Sequence, residues 1–102
     1  MVCKEWIFRF FVKGEMSRKE FIMWLKRNFP QSKLLRLILE KLELINEDPF
    51  KYAREKLGID KYGNPVFSIE VTGDIRVLYS VDPDDCMVFI WDVGSHKRVY
   101  GR

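Results

Sequence analysis

The segment from Asp74 to Val93 restricts the possible folds more than any other part of the chain. Ile75, Val77, Tyr79 and Val81 recur at every second position, with Asp74, Arg76, Leu78 and Ser80 between them. Side chains of an extended strand point alternately to opposite faces, so this spacing predicts a strand with one packed face. Asp82-Pro83-Asp84-Asp85 supplies a turn, and the segment through Val93 reads as a second alternating strand beside the first. Arg76 stands out among apolar neighbours. A guanidinium there loses hydration unless an anion or another polar partner meets it. Gly94, Ser95, His96, Lys97, Arg98 and Tyr100 then bring charge, a titratable imidazole and an aromatic ring into one short stretch. That stretch is a candidate site.

The residues before this hairpin supply the other elements. Residues 4 to 12 are aromatic and β-branched, which suits a first strand, and Lys13-Gly14-Glu15 ends it. Ser17-Arg18-Lys19-Glu20 fits a capping box, and Phe21, Trp24, Leu25 and Phe29 form one helical stripe that Pro30 stops. A second helix is expected from about Ser32 to Asn46. Leu35, Ile38, Leu42 and Ile45 mark its inner face, and Leu34, Leu37, Leu39 and Leu44 widen the apolar sector. So wide a sector signals either deep burial or a surface shared with a partner. The short Pro30-Gln31 connection makes the pair an antiparallel hairpin. Asp48-Pro49 is read as the start of a short helix through Leu57, ended by Gly58. A loop to Pro65, a strand from Val66 to Val71 and a turn at Thr72-Gly73-Asp74 lead back to the hairpin. The expected fold is therefore α+β in the order βααβββ, an antiparallel sheet with the helical hairpin on one face.

The chain has 102 residues, which suits one domain with one modest core. Its 47% hydrophobic content argues for a packed globule. A formal charge of +3 permits a basic face without requiring one. Cys3 and Cys86 have no Cys-x-x-Cys partner and no Cys/His cluster beside them, so two half-buried thiols in a reducing cytoplasm are expected, with no metal and no cofactor. Lys4, Glu5, Arg9 and Lys13 interrupt the apolar character of the first sixteen residues, which does not suit a signal peptide, and no membrane association is expected.

Asp48-Pro49-Phe50-Lys51-Tyr52-Ala53, Lys56-Leu57-Gly58, Gly73-Asp74-Ile75-Arg76-Val77-Leu78-Tyr79, Asp92-Val93-Gly94 and Val99-Tyr100 together resemble the RelE/ParE superfamily of type II toxin–antitoxin modules. The resemblance spans roughly residues 32 to 100. It implies a RelE-like toxin, a ribosome-dependent endoribonuclease in which a ribose 2′-hydroxyl attacks the adjacent phosphate without a metal. On that resemblance Arg76 matches the strand arginine facing the scissile phosphate, Tyr100 the C-terminal tyrosine near the cleaved nucleotide, and His96 a proton-exchanging group. Lys97 and Arg98 are implied phosphate contacts. Lys51, Arg54 and Lys56 form a further basic group, read either as an RNA contact or as a solvated face. The implied partners are mRNA on the ribosome and a cognate antitoxin, RelB-like, whose amphipathic helix lies over the sheet or the helical hairpin.

Ser68 and Glu70 occupy the positions where the best-studied relatives carry two lysines. Two alternatives follow: a ParE-like inhibitor of DNA gyrase, or a non-toxic protein-binding member of the same fold. Each site residue also has a structural alternative. Arg76 could pair with Glu70, Asp74 or Asp92 to tie strands together, His96 could be a surface residue, and Tyr100 could cover a sheet edge. Trp91 and Tyr79 are read as core or interface.

Overall fold

The computed structural model describes residues 3–53 and 55–95, with the backbone alone at residue 55. The first helix, α1 (Arg18–Asn28), begins where its sequence specifies. The Ser17 hydroxyl accepts the Glu20 amide at 3.1 Å, and the Glu20 carboxylate accepts the Ser17 amide at 2.8 Å. Two otherwise orphaned N–H groups are thereby satisfied. Phe21, Trp24 and Leu25 form its buried stripe. The second helix, α2 (Ser32–Glu47), buries Ile38 and Ile45 completely, while Leu34, Leu35, Leu37, Leu39 and Leu42 pack half-buried around them. The wide leucine sector is thus mostly absorbed by the core.

Five strands complete the fold: β1 (Ile7–Phe10), β2 (Glu55–Ile59), β3 (Pro65–Glu70), β4 (Ile75–Asp82) and β5 (Met87–Ser95). They form one sheet in the order β1-β5-β4-β3-β2. Val77, Tyr79 and Val81 of β4 and Val88, Ile90 and Val93 of β5 join the two helices in a single core. The helices therefore cover one face. The opposite face carries Arg76, Leu78 and Ser80, as the alternation of β4 requires. In β5 the alternation shifts. Tyr79 pairs with Ile90 but Leu78 pairs with Asp92, so Trp91 is an extra residue in the ladder. Strict alternation would send Asp92 into the core with Ile90. The bulge moves it to the outer face and returns Val93 to the inner one.

Four expectations need correction. The segment after Pro49 is not a helix: Asp48 Oδ1 accepts the amides of Phe50 and Lys51 at 3.0 and 3.2 Å, but a turn follows and β2 then pairs with β3. One capped turn is a poor helix nucleus, and the open edge of β3 offers a ladder instead. Gly58, at φ +132°, sits beside the register shift of β2, in a conformation open to glycine and strained for other residues. The order is consequently βααββββ. The sheet is mixed rather than antiparallel, because β1 pairs parallel to β5 with Ile7 opposite Met87. Finally, Cys3 and Cys86 are joined in a disulfide, with Cα atoms 5.7 Å apart across a sequence separation of 83. The parallel β1–β5 pairing explains it: the Ile7 amide donates to the Cys86 carbonyl at 2.8 Å, which brings the start of the chain to the β4–β5 turn. Among the described residues no helix is long and apolar enough to cross a membrane.

Candidate functional site

Two of the segments behind the resemblance meet on neighbouring strands at one end of the sheet. Arg76, near the start of β4, stands opposite Glu70 of β3 on one side and Gly94 of β5 on the other. Its exposure is only 8%. Among the described residues its hydrogen bonds all leave from Nη1, to the carbonyls of Thr72 at 2.7 Å, Gly73 at 3.2 Å and Ile75 at 3.4 Å. Glu70 Oε2 lies 3.9 Å from the same nitrogen, an ion-pair contact too long for a hydrogen bond. Nε is buried without a hydrogen-bond partner. The guanidinium is therefore folded back on the β3–β4 turn rather than held out toward solvent, and the strand-tying role is at least part of what it does. Burial accounts for this, since an apolar neighbourhood makes a buried cation take every available acceptor.

Ser68 is fully buried and Glu70 half-buried on the same outer face as Arg76. Asp92, also on that face, is buried and its Oδ1 accepts its neighbour Val93's amide at 2.9 Å. The described chain leaves β5 at Ser95, directly opposite Ile75, so it ends at the Arg76 end of the sheet. His96, Lys97, Arg98 and Tyr100 lie outside the described residues, as does Arg54. Lys51 is exposed after α2 with its ammonium 5.2 Å from the Tyr52 ring, and Lys56 is exposed on β2. Tyr79 is not at the site. It is fully buried under the helices, its hydroxyl donates to the Pro49 carbonyl at 2.7 Å, and burial reinforced by the Asp48 charge pushes its pKa well above the usual phenol value.

A second feature of the outer face was not legible beforehand. Phe11, Phe89, Trp91 and Tyr62 form a connected set of rings. Phe11 stacks on Trp91 at 5.1 Å between centroids, and Tyr62 on Trp91 at 6.4 Å. The Lys61 ammonium lies 5.2 Å from the Tyr62 ring centre and 5.9 Å from that of Trp91. Arg9, paired with Glu15, lies 5.6 Å from the Phe11 ring centre. A hydrogen-bond relay fixes the set. Trp91 Nε1 donates to Ser80 Oγ at 2.8 Å, and Ser80 donates to Asp60 Oδ2 at 2.6 Å. Asp60 Oδ1 accepts the amides of Tyr62 and Asn64 at 2.8 and 2.9 Å, so one carboxylate anchors both the tryptophan and the β2–β3 loop. Trp91, read from the sequence as core or interface, is half-buried on this face, where the alternation from Phe89 already places it. No protein-family model matches the sequence, and no curated protein matches it.

Proposed function

We propose that the chain is a RelE-like toxin of the RelE/ParE superfamily, an endoribonuclease that cleaves mRNA on the ribosome. The observation that carries this reading is the juxtaposition of Arg76 with Gly94 across the β4–β5 ladder. Two motif segments that are separate in sequence become neighbours, and the chain runs from there into His96, Lys97, Arg98 and Tyr100. In this proposal the 2′-hydroxyl of one ribose attacks the following phosphate. A base removes the hydroxyl proton, an acid protonates the departing 5′-oxygen, and cationic groups stabilise the extra charge on the phosphorus oxygens. His96 is the proposed proton-exchanging group, and Lys97, Arg98 and Tyr100 contact the nucleotide. Arg76 acts here as a buried positive charge anchored by turn carbonyls, supplying potential at the sheet end. Cytoplasmic location belongs to the same proposal, and the Cys3–Cys86 disulfide then requires a cytoplasm in which such bonds persist.

The proposed antitoxin contributes an amphipathic segment. A groove of about 560 Å³ between β1 and the helices suits it, with Trp6, Phe8, Met16, Leu39 and Leu42 in its walls. A ParE-like action on DNA gyrase is the second reading, favoured by Ser68 and Glu70 on the outer face, where lysines would hold a phosphate.

Induced expression separates these readings. The RelE reading expects growth arrest with cleavage of ribosome-bound mRNA, both reduced at least tenfold in Arg76→Ala and partly restored in Arg76→Lys. Circular dichroism controls for folding, since Arg76 is buried. Arrest with intact mRNA and inhibited supercoiling would transfer the case to gyrase.

A further inference from the structure

We propose that the outer-face rings form a base-stacking subsite for single-stranded nucleic acid, with Tyr62 and Trp91 as the platform and Lys61 as its phosphate contact. The inference deepens the RNA-cleaving reading and rests on it for the choice of nucleic acid. Two observations support it. First, Tyr62 is 56% exposed, and its ring lies within 25° of parallel to that of Trp91. Second, the platform is rigid before any ligand arrives. Trp91 is held through Ser80 to Asp60, and Asp60 also pins the loop that carries Tyr62, so stacking a base orders little further protein.

The chemistry of the surroundings selects the ligand. A cleft of about 270 Å³ adjoins the platform, floored by Val66 and Leu78, walled by Trp91 and rimmed by Lys61 and Asp60. An apolar floor, an aromatic wall and the Lys61 ammonium match a planar base followed by its phosphate, while both oxygens of the rim carboxylate Asp60 are engaged by Ser80, Tyr62 and Asn64. On the other side of Tyr62 the surface carries Asp82 and Asp85 beside a Glu15 already paired with Arg9, and its excess negative charge repels a phosphodiester chain. The strand therefore approaches from the Lys61 side, and duplex nucleic acid, whose bases are already stacked, gains nothing there. Stacking supplies most of the affinity. The salt dependence is accordingly shallow, with a log–log slope of about 0.7 for each phosphate contacted.

The test is fluorescence anisotropy of a labelled ten-nucleotide single-stranded RNA with the purified protein and no ribosomes. Wild-type protein binds it at micromolar concentration, and a duplex of the same length competes poorly. Tyr62→Ala weakens binding roughly five- to a hundredfold, Tyr62→Phe restores it, and Lys61→Ala lowers the salt slope by about one phosphate's share. Tyr62 is exposed, so the alanine variant keeps its fold. Absence of binding by wild-type protein overturns the subsite, as does equal binding by Tyr62→Ala. A dimer in sedimentation that Tyr62→Ala converts to monomer also overturns it, because the rings would then serve self-association. Binding that behaves as described while ribosomal mRNA stays intact removes the RNA-cleaving reading and leaves the subsite standing.

Discussion

Breaking the Cys3–Cys86 bond is expected to lower stability substantially. The bond spans 83 positions, nearly the whole chain. On the chain-entropy model, a cross-link of that span removes about 4.5 kcal/mol of conformational freedom from the unfolded state, and measured values for native bonds run roughly 2–5 kcal/mol. For a domain of this size each kcal/mol moves the melting midpoint by roughly 4–5 °C, so a drop of about 10–20 °C is expected. The loss concentrates where the bond acts. The edge strand β1 has only four paired residues, and the described segment before it is tethered at Cys3. Amide exchange at Ile7 and Phe11, which donate to the Cys86 and Ile90 carbonyls, should accelerate more than at Val77 or Tyr79 in the central strand. Thermal unfolding followed by circular dichroism, with and without a phosphine reductant, measures the first quantity. Cys3→Ser/Cys86→Ser should reproduce it and then show no response to reductant. The reasoning fails if unfolded, unreduced protein titrates with two free thiols, or if reduction shifts the midpoint by less than about 2 °C.

Other outcomes follow from single contacts. Tyr79→Phe leaves the Pro49 carbonyl without its donor and should cost about 1–2 kcal/mol, measured by urea unfolding. The Tyr79 phenol has a raised pKa when folded, so its contribution is complete below pH 10 and declines as pH climbs past it. Wild-type protein should lose stability on alkaline titration, and Tyr79→Phe should lose measurably less. Ser17→Ala removes the α1 cap and should cost about 1 kcal/mol by the same unfolding assay. Glu20 is held below its ordinary carboxyl pKa by the Ser17 amide and then its hydroxyl. The cap therefore contributes above that ordinary value and weakens as pH falls through the lowered one, so helix content should fall less steeply with acid in Ser17→Ala.

The helices and the central hairpin were legible in the sequence because local chemistry specifies them. Ser17 and Glu20 set one helix start, Pro30 set its end, and the Val77–Tyr79–Val81 alternation set the packed face of β4. What escaped depended on distant pairing. β2 has no alternation, contains Gly58 and pairs irregularly, so its residues look like the end of a helix until the edge of β3 is present. The parallel place of β1 beside β5 is a property of the whole topology, and the disulfide is its consequence. The ring set draws on three segments, around Phe11, Tyr62 and Phe89–Trp91, which only the assembled sheet brings together. Arg76 was recognisable as an unusual residue. Its retreat onto the carbonyls of Thr72 and Gly73 was not, because a guanidinium's partners depend on the turn geometry around it.

The proposed toxin activity is tested most directly by adding purified protein to ribosomes programmed with a defined mRNA. The account expects cleavage within the decoding-site codon, leaving a 2′,3′-cyclic phosphate on the upstream fragment, with the cut abolished when a 2′-deoxynucleotide replaces the attacking ribose. Intact message, or a cut that persists at the deoxy position, would contradict it.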